Sequence, residues 1–207
     1  MDGFVGGYYR FAIWATNLAY LNLLWVVFTI LGLGLFGLFP ATAAMFAIIR
    51  KWLRQEEVPV FSTFWKYFRK EFVQSNLLGL IFLIIGYVLF IEFQILWGSN
   101  QMVYFIASFG VVALVIIYAI VSLYFFPIYV HFNLTNKELF KWPFIIGIMH
   151  PILTIFLFVA IGLLHYVTFM TIPALLFFFG GSVTAYIMMW GVAKTFPKYE
   201  KVESMSG

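Results

Sequence analysis

The side chains with the widest chemical range in this sequence are three histidines, His131, His150 and His165, and one carboxylate inside a long apolar stretch, Glu92. Zinc binding asks for paired ligands, such as two histidines four residues apart on one helical face with an acid beside them. These histidines are scattered along the chain and none has an acid at such spacing, so packing or interfacial roles suit them better. There is no cysteine, which removes disulfides, thiolate metal sites and a cysteine nucleophile. No nucleophile elbow, phosphate loop or catalytic dyad is present. Catalysis is therefore not expected, and neither is a metal or other cofactor. Gly32, Gly34 and Gly37 spell a literal G-x-G-x-x-G. That fingerprint needs a preceding strand and a βαβ unit, whereas here it lies between apolar segments and reads as a turn with close packing. Asn133-Leu134-Thr135 matches a glycosylation sequon, but it falls on the side expected to face the cytoplasm.

Polar groups inside apolar stretches are the more informative residues. Asn17 and Asn22 lie in the first apolar run. An amide facing lipid leaves donors and acceptors unsatisfied, so both are expected to face the interior, as interhelical hydrogen bonds or as part of a polar cavity. Asn17, Asn22, Thr42 and His150 are expected to converge around the backbone break at Pro40, because irregular backbone and polar side chains both need cover from lipid. Glu92 is a candidate intramembrane acid, the kind of residue that marks ion or proton pathways. It lies near the outer end of its segment, where it could equally reach the interface, or pair with His165 or Asn100.

The elements that must hold these residues follow from charge patterning. Residues 11–49 contain no Asp, Glu, Lys or Arg, residues 72–136 contain only Glu92, and residues 142–193 contain none. Crossing a bilayer takes about 20 apolar residues, so each run is long enough for two spans. All twelve Lys and Arg then fall on one side with both termini, and the positive-inside rule makes that side cytoplasmic. A single crossing by residues 11–49 would split the cations between the two sides and would make a helix about 58 Å long. The fold expected is all-α: one integral membrane domain over residues 1–207, with spans at about 11–31, 34–53, 76–97, 102–130, 143–164 and 168–193. Outer turns are expected at Gly32–Gly34, at Gly98–Gln101 and around His165, with a short cytoplasmic tail at 194–207. Gly37 and Pro40 interrupt the second span, leaving both a full crossing and a re-entrant helix open. Small-xxx-small pairs at Ala43/Ala47 and Gly181/Ala185 allow close helix contact.

Residues 54–75 differ in kind. After Pro59, Ser62 or Thr63 can cap a helix. Phe61, Phe64, Trp65, Phe68 and Phe72 then recur at helical spacing, with Lys66, Arg69 and Lys70 opposite. This predicts an amphipathic helix at about 62–74 lying in the cytoplasmic interface. It either links and anchors two spans, or it offers a lipid or partner surface through Trp65, Lys66, Arg69 and Lys70.

Composition agrees with a membrane protein. The chain is 64% hydrophobic, 22% aromatic and 10% charged, with a mean hydropathy of +1.02, against about 25% charged in ordinary globular domains. The formal net charge of +4 comes from residues flanking apolar runs, which argues for membrane orientation and against nucleic acid. A cleaved signal peptide is not expected, because the apolar stretch after Arg10 far exceeds an h-region.

Several short motifs resemble the YesL family of bacterial integral membrane proteins. They are Asn17-Leu18, Leu21-Asn22-Leu23-Leu24-Trp25, Phe36-Gly37, Pro40-Ala41-Thr42 and Arg50-Lys51-Trp52, continuing through Phe64, Trp65, Phe72 and Asn76-Leu77-Leu78-Gly79. The close likeness covers about residues 3–80. The resemblance implies a bacterial plasma membrane location and a link to carbohydrate utilisation, and it carries over no active-site residues. It points to a non-enzymatic accessory or assembly protein for ABC-type carbohydrate uptake. A small-solute transporter or channel, and a regulator of a membrane sensor, are the alternatives. The partners expected are the lipid bilayer, sugar ABC-transporter permease subunits and, for a homo-oligomer, a second copy of the chain.

Overall fold

The computed structural model describes residues 4–97, 101–132 and 134–196. Among these there are seven helices and no strand: α1 (Phe4–Leu31), α2 (Leu35–Leu53), α3 (Val60–Trp97), α4 (Met102–His131), α5 (Glu138–Met149), α6 (Pro151–Thr171) and α7 (Ala174–Ala193). All but α5 are long and apolar enough to cross a bilayer. Their outward faces carry large apolar side chains, for example Ile152, Ile155, Phe156, Val159 and Leu163 along α6. A water-soluble monomer seldom shows a contiguous apolar patch beyond a few hundred Å². The molecule is a helical bundle of a polytopic membrane protein.

α2 is the hub, packed against α1, α3, α4 and α7. From Pro40 to Ile49 every residue except Thr42 is buried. Ala41, Ala43, Ala44 and Ala47 make this feasible, because small side chains let neighbouring backbones approach where lipid supplies no hydrophobic drive. Its 19 residues give about 28 Å of helix, the thickness of the hydrocarbon core. Pro40 is accommodated inside this continuous helix.

The turn between α1 and α2 explains the three glycines. Leu33 and Gly34 both have positive φ, 58° and 73°, and Gly34 bears this without a Cβ clash. A Cβ on Gly32 would lie 2.3 Å from the Gly37 Cα, and one on Gly37 would lie 2.5 Å from the carbonyl oxygens of Phe28 and Thr29. The motif is a hairpin in which the backbones of two helices touch.

Three boundaries differ from those expected. The amphipathic segment at 62–74 is not a separate helix; it forms the first turns of α3, which runs unbroken from Val60 to Trp97. Nothing between Ser62 and Asn76 is Gly or Pro, so no residue stops the helix. The expected 143–164 span is divided at His150, where the backbone leaves helical geometry (φ −122°, ψ 59°) ahead of Pro151, since the residue before a proline is pushed out of the α region. The turn before the last helix falls at Ile172-Pro173, and His165 lies inside α6. The expected turn at Gly98–Gln101 lies largely outside the described residues, as do the sequon's Asn133 and most of the tail.

Candidate functional site

Asn22 is buried and spans the contact between α1 and α7. Its Nδ2 donates to the Phe177 carbonyl at 2.7 Å, and its Oδ1 accepts from the Ser182 N–H at 2.8 Å. One amide thus occupies a donor and an acceptor of a mid-membrane helix, and Gly181 leaves room for it. Thr42 faces a different neighbour: its hydroxyl accepts from the Trp25 Nε1–H at 3.0 Å and donates to the Leu38 carbonyl at 2.7 Å. Asn17 is half-buried on α1. His150 sits at the junction of α5 and α6, away from the α1–α2 pair. Asn22 and Thr42 thus serve separate helix contacts, α1 with α7 and α1 with α2. Glu92 is exposed on α3. His165 accompanies Thr184 of α7, with Nε2 to Oγ1 at 3.4 Å.

Two prolines account for further polar residues within the bundle. Pro40 cannot donate to the carbonyl four residues earlier, Phe36. Asn76 of α3 supplies that donor, its Nδ2 lying 2.9 Å from the Phe36 oxygen. Pro151 likewise leaves Gly147 without a donor, and the Thr154 hydroxyl lies 2.8 Å from the Gly147 oxygen and 3.0 Å from that of His150. Since Thr154 has one proton and both carbonyls only accept, the buried Tyr124 hydroxyl 2.9 Å away is the donor of that pair. An orphaned buried carbonyl costs about 1–3 kcal/mol. Sequence reading took Pro40 as an interruption and ran the fifth span through Pro151; the signal it lacked was an Asn or Thr able to reach each freed carbonyl.

The richest polar chemistry lies at the basic end of the bundle, where α2 and α4 finish and α3 and α5 begin. Arg50 reaches across from the last turn of α2, and its Nη1 donates to the Val130 carbonyl and, at 3.5 Å, to that of His131. These are terminal carbonyls of α4, which have no helical donor and carry the negative end of the helix dipole. The Arg50 Nε is buried with no acceptor. Beside it, the Tyr129 hydroxyl donates to Glu71 Oε2 at 2.5 Å, and Lys70 Nζ lies 3.3 Å from Glu71 Oε1. Gln74 Nε2 donates to Asn136 Oδ1 at 3.2 Å.

Arg50, Tyr67, Lys70, Glu71, Gln74, Tyr129 and His131 line a cavity of about 430 Å³. A smaller cavity of about 240 Å³ lies on the other side of Arg50 and His131, bounded by Arg54, Met189 and Phe196. Arg50 and Lys70 were legible as part of a basic island. Glu71 and Tyr129, 58 residues apart, were not, because only the packing of α3 on α4 joins them.

An aromatic cluster packs the first turns of α3 against α1. Phe64 and Phe68 are buried, and Phe28 of α1 stacks among Phe61, Phe64, Trp65 and Phe68 at centroid distances of 5.0–6.4 Å. The aromatics expected at the acyl boundary are thus split: Phe64 and Phe68 anchor α3 to the core, and Phe61, Trp65 and Phe72 stay exposed. Arg69 lies over the Trp65 ring at 5.5 Å, a cation–π contact, while Lys66 and Lys70 are exposed. Thr135 ties down Glu138 at the start of α5: Glu138 Oε2 accepts from the Thr135 N–H at 2.9 Å and from its hydroxyl at 2.7 Å. These two bonds hold the Glu138 carboxyl below its ordinary value of 4.5. In the loop after α2, a hydrogen bond from Lys51 does the same for Glu56.

Residues 18–93 match a family described as "Protein of unknown function, DUF624". The chain is 38% identical to the uncharacterized protein YesL of Bacillus subtilis over 184 residues, 88% of this chain and 86% of that one. It is 34% identical to YteU of the same organism over 189 residues, covering 91% and 84% of the two chains. It is also 34% identical to YesV over 192 residues, 92% of each. No solved structure matches the chain.

Proposed function

We propose, for a chain that belongs to the DUF624 family of YesL-like proteins, a non-enzymatic accessory or assembly role beside an ABC-type carbohydrate importer of a bacterial plasma membrane. The observation that carries this reading is where the polar groups go. Asn22, Thr42, Asn76 and Thr154 are each bonded to backbone of their own or a neighbouring helix. They stabilise the bundle and do not line a route through it. A transporter needs a continuous series of polar or ionisable groups facing a pathway, and Asn22 and Glu92 do not provide one.

What remains available for recognition is concentrated at the basic end: the Arg50–Glu71–Tyr129 cavity and the exposed Trp65, Lys66, Arg69 and Lys70 beside it. Cations at that end face the cytoplasm by the positive-inside rule, on the side where transporter permeases meet their ATPases. The carbohydrate link rests on the family resemblance, and permease subunits are the partners it suggests. Affinity purification from native membranes, paired with sugar uptake in a deletion strain, tests the role. Copurified permease subunits and reduced uptake are expected. Solute flux by the purified protein alone in liposomes would replace this reading with that of a transporter.

A further inference from the structure

We propose that the 430 Å³ cavity at the basic end binds the phosphate group of a hydroxyl-bearing anion. This goes beyond the accessory role and does not depend on it. The volume lies within the range of small-molecule sites. The Arg50 guanidinium is held in place, Nη1 on two α4 carbonyls, while its Nε–H is buried without an acceptor. That N–H has no partner within the protein, and arginine's planar fork suits the oxygens of phosphate as well as those of carboxylate.

Lys70 brings a second cation from α3, on an exposed side chain whose Nζ lies 3.3 Å from Glu71 Oε1. A tetrahedral phosphate has oxygens to meet donors arriving from two walls, Arg50 on α2 and Tyr67 or Lys70 on α3; a planar carboxylate has fewer. Two cations against the Glu71 carboxylate leave one unbalanced positive charge, the complement of a singly charged phosphodiester or monoprotonated phosphomonoester. Glu71 and Gln74 add acceptors suited to hydroxyls beside the phosphate. Two sources carry this chemistry: the headgroup of an anionic phospholipid and a water-soluble polyol phosphate.

The full chain, reconstituted in phosphatidylcholine nanodiscs, is followed by thermal unfolding with glycerol phosphate or with chloride at equal ionic strength. In a parallel arm phosphatidylglycerol is mixed into the discs. The expected result is a Tm raised by one of the two probes. Arg50→Gln should abolish this, Lys70→Gln should shift its midpoint about tenfold, the equivalent of 1.4 kcal/mol, and Lys194→Gln, outside the cavity, should leave it unchanged. A response to glycerol phosphate in phosphatidylcholine identifies a soluble ligand, and a response to phosphatidylglycerol alone identifies the lipid. Because Arg50 also caps α4, the decision rests on Lys70→Gln, whose exposed side chain the fold does not need. No rise with either probe, or an equal rise in wild type, Lys70→Gln and Lys194→Gln, overturns the proposal.

Discussion

An amide at membrane depth is costly to leave unpartnered, and Asn22 shows how this chain avoids that cost. It uses one donor and one acceptor against the Phe177 carbonyl and the Ser182 N–H. Asn22→Leu would remove both bonds and leave the α7 groups to find other partners. A loss of about 1–3 kcal/mol is expected, read as a lowered unfolding midpoint of the purified protein. A second residue-scale expectation concerns pH. Glu138 is held below its ordinary value by the Thr135 hydroxyl and amide. A depressed folded-state pKa contributes stability that is present above the unfolded value and disappears as pH falls through the folded one. The start of α5 should therefore loosen only below about pH 4.5, and Thr135→Val should move the Glu138 midpoint upward in a carboxyl NMR titration. An unmoved midpoint would show that the Thr135 hydroxyl does not set it.

At the scale of helices, the prolines and the polar residues that answer them form testable pairs. Asn76→Leu alone should destabilise by about 1–2 kcal/mol, because the Phe36 carbonyl loses its donor. In a Pro40→Ala background the alanine N–H can serve that carbonyl, so the same substitution should cost close to nothing. The coupling in this double-mutant cycle is the measurement, and simple additivity would refute the pairing. The hairpin of α1 and α2 offers a steric counterpart. Gly37→Ala places a Cβ within 2.5 Å of two backbone carbonyl oxygens, and rigid backbone has little room to yield. A cost of about 1–3 kcal/mol is expected, with folded yield in detergent as the readout.

For the whole molecule, an antiparallel arrangement requires the loop holding Glu56 and the turn at Ile172 to lie at opposite ends. With no native cysteine, single cysteines at these two positions can be labelled cleanly in intact cells. Modification of position 172 from outside, and of position 56 only after permeabilisation, is the expected result. The reverse would invert the bundle, and equal labelling of both from outside would break the topology. The charge islands make the prediction sharp, because every described Lys and Arg lies at or near the end where α2 and α4 finish.

Hydropathy and charge alone determined that this chain is a helical membrane bundle, because a bilayer imposes one length and one polarity on any segment that crosses it. The same logic made Asn22 an interior residue and the three glycines a hairpin. Pro40, read as an interruption, belongs to a continuous α2 because Asn76, far along the chain, meets the carbonyl it frees. The run of aromatics at helical spacing could not reveal that Phe64 and Phe68 point into the core while Trp65 points out, since only the packing of Phe28 of α1 against α3 separates them. Arg50, Glu71 and Tyr129 come from three helices, and no periodicity links them. Their cavity exists only because α2 and α4 end where α3 begins, and long-range packing of that kind leaves no local mark in the sequence.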